Sequence, residues 1–260
     1  MMLKSILEIN IYSHTPRMKR ICIIIAALMC AASLIYAKSG VSYADKARRA
    51  FDQQEWATAS ALYTLAIDQD PGCGDLYGYA IAAAAMKQDT ISQLQFFDQS
   101  INNHVPFDST FAAVKRVSFS LAHDSMYGQF MLMVQRNYSW LGRAVDAYLL
   151  NYYVYRHNAP AIITYSRKML AGLPDDVRYL TILADALMQD SQTADALATY
   201  NHIIDLDPDN YNVHLTLGNY YALAADDDDC RSRAVAHLKK ANALRPTPHA
   251  TALINALECK

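Results

Sequence analysis

Residues 193–210 read TADALATYNHIIDLDPDN, and the spacing within them decides the fold. Ala196, Tyr200 and Ile203 stand four and three residues apart, so a helix carries a small side chain, a ring and a branched aliphatic on one face. Pro208 sets the stop, because proline lacks an N–H and pushes the residue before it out of helical backbone. The small residue lets a second helix come close, and the ring fills the space beside that contact. The same order recurs in EWATASALYTLAIDQDP, where Ala59, Tyr63 and Ala66 precede Pro71. It returns in RAVAHLKKANALRP, where Ala234, Leu238 and Ala241 precede Pro246.

Working outward from these segments gives a period near 34 residues, counted from Gly40, with new units near Gly74, Asp108, Gly142, Val177 and Tyr211 and the last ending at Pro246. The ring position is filled in turn by Tyr63, Phe97, Met131, Tyr165, Tyr200 and Leu238, all large. Each unit also needs a first helix. Tyr77, Ala80, Ile81 and Ala84 supply its inner face in the second unit, Leu180, Leu183, Ala184 and Leu187 in the fifth, and His214, Leu217, Gly218 and Tyr221 in the sixth. The middle units depart from the pattern: Gln93 and Tyr127 stand at the small position, and the third unit has no terminal proline.

These segments resemble the tetratricopeptide repeat, in which a small residue, an aromatic four later, a further small residue and a closing proline mark the second helix. LGNYY at 217–221 fits the family's first helix, with His214 in place of its usual tryptophan. The resemblance implies an all-α, right-handed superhelical solenoid of antiparallel helix pairs, about six repeats over 40–246. Residues 247–260 follow as a capping helix that covers the open end with Ala252, Leu253, Ala256 and Leu257.

Composition agrees with a helical core and excludes several functions. Of 260 residues 53% are apolar, and eight glycines and eight prolines leave little for the turns of an all-β fold. A net charge of −2, with Lys and Arg scattered, provides no basic face for nucleic acid. Asp226–Asp229 lacks the ligand spacing of a calcium loop and reads as a solvated insertion whose last carboxylate helps to start a helix. PGCGDLYG at 71–78 follows no strand, so it is a turn between helices rather than a phosphate loop. Neither HExxH nor G-x-S-x-G occurs, and no metal or cofactor is expected.

The start of the chain reads as an address. MKR at 18–20 precedes ICIIIAALMCAASLIYA, which ends at Ala37 and has the length and flanks of an export signal. Spanning a bilayer takes roughly 20 apolar residues, and Lys38 interrupts this run first. Cleavage near Ala37 and an exported, periplasmic or envelope location are expected, with an uncleaved anchor in the cytoplasmic membrane as the alternative. Residues 1–17 are polar, precede Met18 and are excluded from the fold. Cleavage leaves Cys73, Cys230 and Cys259, an odd and scattered set that forms no disulfide framework.

In solenoids of this type the first helices line the concave surface offered to partners. Helical spacing places Arg48, Phe51, Arg116, Phe119, Arg143, Asp146, Tyr153, Arg178, Asp185, Asn212 and Asn219 there, with Thr181 beside them. Arginine and aromatic side chains dominate many interfaces, so the expected partner is a protein or an extended, partly anionic peptide. The lysine and asparagine set of the carboxylate-gripping subgroup is absent, since its places hold residues such as Ala44, Arg48 and Ala82. Tyr148, Tyr152 and Tyr155 are expected in helix packing. The reading is a non-catalytic scaffold. Its rivals are a membrane-tethered structural subunit and an enzyme using Asp146 or Asp185 in a repeat-built cleft.

Overall fold

The computed structural model describes residues 42–259, and the expected export signal lies outside them. All regular structure among the described residues is helical, with one short 3-10 turn and no strand. They divide into two compact units, one up to His123 and one from Asp124.

The first unit contains α1 (Tyr43–Asp52), α2 (Trp56–Gln69), α3 (Gly74–Met86), α4 (Thr90–Asn102) and α5 (Phe107–Ser120). Helix α1 opens with a reciprocal cap: the Ser42 hydroxyl accepts from the Asp45 N–H, and the Asp45 carboxylate accepts from the Ser42 N–H. Two backbone donors that the helix itself leaves unpaired are thereby satisfied. Helix α1 pairs with α2, α2 abuts α3, and α3 packs against both α4 and α5. Their shared core holds Ala59, Tyr63, Tyr77, Ala80, Ile81, Phe97 and Phe111, all buried. Phe97 and Phe111 stack with centroids 5.5 Å apart.

The second unit contains α6 (Asp124–Asn137), the 3-10 turn Ser139–Leu141, and then α7 (Gly142–Tyr155), α8 (Ala159–Leu170), α9 (Val177–Gln189), α10 (Thr193–Leu206), α11 (Tyr211–Ala222), α12 (Asp228–Leu244) and α13 (Pro248–Glu258). Each helix packs against the next in order. Gly128 of α6 makes room for the Tyr152 ring of α7, and Gly218 of α11 for Leu238 of α12. The ring positions Met131, Tyr165, Tyr200 and Leu238 are all buried. Burying one such side chain contributes roughly 1.5–3 kcal/mol. An exposed ion pair contributes about 0–1 kcal/mol, so side-chain packing, not surface charge, holds the helices together.

The turns that follow α1, α3, α5, α7 and α9 share one backbone device. Gln54, Gln88, Ala122, His157 and Ser191 have φ between 50° and 62°, at intervals of 34, 34, 35 and 34 residues. At each, the left-handed residue donates its N–H three residues back and the following residue donates five back, as in Gln54 to Phe51 and Glu55 to Ala50. This pair of bonds is a Schellman closure, which satisfies the last carbonyls of the helix before it. His104, between α4 and α5, closes the same way. At the other ends, Asp70, Asp207 and Arg245 are extended, with φ of −137°, −137° and −148°, each directly before a proline.

Several expectations are corrected. The expected turn at 71–78 ends at Cys73, because Gly74 opens α3, and Gly74 and Gly78 serve close packing against α5. In the acidic run it is Asp227, not the last carboxylate, that caps α12 by accepting from the Cys230 N–H. Asp228 and Asp229 pair with Arg231 and Arg233. Helix α13 begins at Pro248 after the Thr247 cap, and this phase buries Ala250, Ile254 and Leu257 while Ala252 and Ala256 face outward. Tyr155 also points out, 56% exposed, because it lies one residue short of the turn of α7 that would carry it inward.

Candidate functional site

Arg48, Arg116, Asp185 and Asn219 occupy one equivalent position, eight residues after the expected unit starts at 40, 108, 177 and 211. In the first unit, Arg48 sits one helical turn before Asp52 and pairs with it at 3.0 Å. Its guanidinium also lies over the Tyr79 ring, 4.5 Å from the centroid, and donates to the Tyr79 hydroxyl. Tyr79 in turn stacks on the ring-position Tyr63, with centroids 5.7 Å apart. Arg116 on α5 pairs with Asp75 on α3 at 2.6 Å, both well exposed. That bond holds the guanidinium even more firmly protonated, against the opposing charge of nearby Arg48. Two arginines, a tyrosine and two carboxylates therefore share one face of α1, α3 and α5.

Phe51 does not belong to that face. It is 3% exposed and meets Trp56, Tyr63 and Tyr79 edge-on at 5.1–6.3 Å. Three residues from Arg48 on α1, it turns toward α2 and becomes core. Phe119, its equivalent on α5, is half-buried, with the Lys115 ammonium 5.7 Å from its ring.

In the second unit the hydroxyls of buried ring-position tyrosines organise the polar face. A buried phenol needs a partner. Tyr200 finds one in Asp185, and Tyr165 donates to the Gln135 side-chain oxygen at 3.2 Å. The Gln135 amide donates to Asp146, and Lys168 approaches the same carboxylate at 3.5 Å. Tyr153 stacks on Tyr165 with centroids 5.5 Å apart, and Lys168 stands over the Tyr165 ring at 4.7 Å. Burial pushes the phenol pKa of both Tyr153 and Tyr165 upward, so both stay neutral at ordinary pH.

The remaining expected residues are more scattered. Arg143 is exposed and lies across Gly172, where an added Cβ would meet its guanidinium. Arg178 pairs with Asp176, the cap of its own helix, at 2.8 Å and is 80% exposed. Asn212 is exposed and Asn219 half-buried on α11, and Thr181 donates to the Val177 carbonyl. Sequence reasoning missed Tyr79, Gln135 and Lys168, since each reaches its partner across helices. It also missed a recurring tie: the Tyr77 hydroxyl donates to the Pro71 carbonyl at 2.9 Å, and His214 contacts the Pro208 carbonyl at 3.1 Å. Both span six residues, from a first helix back to the proline that closes the preceding one.

Among the described residues no three metal-ligating side chains cluster, and no helix is long and apolar enough to cross a membrane. Cys73, Cys230 and Cys259 are free thiols.

Paired helices, a recurring left-handed turn, a small-then-ring contact and closing prolines make this an all-α repeat of helix pairs, similar to the tetratricopeptide repeat. No protein-family model matches the sequence, and no curated protein does. Solved structures of similar fold include the C-terminal part of a TPR repeat-containing protein from Cytophaga hutchinsonii, at 14% identity over 80% of this chain and 98% of that one, with a TM-score of 0.38. Another is YrrB, described as a TPR protein with an unusual peptide-binding site, at 15% identity over 88% and 97%, with a TM-score of 0.36. Pseudomonas aeruginosa pilF is similar at 12% identity over 83% and 96%, with a TM-score of 0.43.

Proposed function

We propose that the chain is a non-catalytic scaffold, exported to the cell envelope, that holds a partner protein or peptide on the faces of its first helices. One observation carries this reading: on three of the first helices, α1, α5 and α9, the equivalent position holds Arg48, Arg116 and Asp185, each accessible and each fixed by a bond to a neighbouring side chain. Side chains held in this way lose little freedom on binding, which lowers the cost of association. The arginine-and-tyrosine face of the first unit suits a carboxylate-bearing segment, because a guanidinium receives a carboxylate through two parallel hydrogen bonds.

Catalysis finds less support. Asp146 and Asp185 are engaged in separate hydrogen-bond networks, one with Gln135 and Lys168 and the other with Tyr200. Neither is paired with the other for acid–base exchange.

The test is cross-linked capture from an envelope fraction, with wild type beside Arg48→Ala/Arg116→Ala and Asp185→Ala. A partner held by wild type and lost by a variant of unchanged helix content and melting supports the reading. Equal recovery by all three removes it. Mass measurement of the mature amino terminus tests export: a chain that retains residues 18–37 is anchored rather than released.

A further inference from the structure

His214 and His237 face each other across α11 and α12 with their Nδ1 atoms 3.0 Å apart. His214 is buried, and its Nε2 lies 3.1 Å from the Pro208 carbonyl. That oxygen can only accept, so His214 Nε2 carries hydrogen. A neutral His214 then presents a bare Nδ1, and His237 must donate from its own Nδ1. The facing nitrogens thus share one hydrogen. A proton added at His237 Nε2 leaves this bond in place but puts an imidazolium at a half-buried site. A further proton, at His214 Nδ1, sets two N–H groups head to head and breaks the contact.

The surroundings of His237 oppose added positive charge. Helix α12 contributes Arg233, 5.7 Å from the Tyr221 ring, while the His237 ring lies parallel to that same Tyr221 at 6.0 Å. Lys240 of α12 is occupied by Asp209, beside the start of α11, at 2.6 Å. At the end of α10, Asp207 is held by Asn210 at 2.9 Å, and Glu258 of α13 by Lys239 at 2.6 Å. None of these carboxylates hydrogen-bonds an imidazole, although the Asp209 carboxylate is close enough to interact electrostatically with His214. Burial first, then His214 and Arg233, push the His237 pKa below its ordinary value.

We infer that the facing histidines make the last helix pair acid-sensitive, fastening α11 to α12 near neutral pH and loosening that contact as protons are taken up, while the His214 bond to the Pro208 carbonyl persists. A base whose folded pKa is depressed stabilises fully above the unfolded value of about 6.5, and that contribution is lost as pH falls through the folded value. The device is local. In the first unit the equivalent tie uses Tyr77, whose hydroxyl donates to Pro71 and accepts from Asn103 at 2.8 Å, and a phenol does not titrate in this range.

Hydrogen exchange on the full chain between pH 7.5 and 5, corrected for intrinsic rates, tests the inference. Opening of α11 and α12 is expected to rise by up to about tenfold per pH unit for each proton taken up, with α1–α5 unchanged. His237→Gln and His214→Tyr should each flatten that response. Wild-type protection that does not change with pH, or variants as acid-sensitive as wild type, would overturn it. If the variants fail to fold, histidine NMR titration of wild type decides. A His237 midpoint below about 6.5 supports the inference, and one at or above that value defeats it.

Discussion

Gly78 on α3 lies so close to Ala113 on α5 that a Cβ on the glycine would fall 2.4 Å from the alanine Cβ and 2.9 Å from its carbonyl carbon. Backbone, not a flexible side-chain tip, blocks the space. Gly78→Ala gains about 1 kcal/mol of helix propensity but forces two helices apart at a cost of about 1–3 kcal/mol. The expected outcome is a net loss of up to about 2 kcal/mol by urea unfolding. Gly72→Ala, with nothing within 4 Å, is the control and should be near neutral.

Ala122 holds φ at 56° in the turn after α5, where its Cβ crowds the following carbonyl. Ala122→Gly removes a strain of about 1–2 kcal/mol and adds up to about 1 kcal/mol of unfolded-state entropy. A stabilisation of about 0.5–1 kcal/mol is expected, visible as a higher Tm. A lower Tm would contradict the turn geometry.

Phe51 and Arg48 stand on one helix and should separate cleanly on mutation. Phe51→Ala empties a core position and is expected to cost about 3–5 kcal/mol of stability. Arg48→Ala removes an exposed pair, should cost less than about 1 kcal/mol, and should weaken partner capture. If Arg48→Ala unfolds the chain, or Phe51→Ala leaves its melting intact, the division between core and face is wrong.

Tyr77 is buried and its hydroxyl joins Pro71 to Asn103. Tyr77→Phe keeps the ring and deletes both bonds, with an expected cost of about 1–2 kcal/mol. The matching readout is faster amide exchange at the start of α3. Unchanged exchange there would show that the tie between adjacent pairs is dispensable.

The helices and the buried ring positions were legible because their signal is local: a small residue and a ring one turn apart bury the same face wherever they occur. Tyr63, Phe97, Met131, Tyr165, Tyr200 and Leu238 all lie inside. The candidate site was only partly legible. Each residue along a helix rotates its side chain by about 100°, so a small error in phase put Phe51 outside and turned the buried stripe of α13. Contacts such as Arg48 with Tyr79 or His214 with His237 join residues 31 and 23 positions apart. No short-range spacing encodes them, since they depend on the rotation of two helices at once.

The left-handed turns are closed by main-chain bonds, with Gln, Ala, His and Ser all serving at the key residue. Side-chain identity is therefore nearly free at these corners, and what is inherited from one corner to the next is an interval. A protein stitched in this manner changes size by whole modules: excising residues 177–210, with the Ser191 corner they contain, would bring α11 directly behind α8 and leave the remaining corners intact. Its length behaves as an integer, a count of modules closed by the same main-chain bonds.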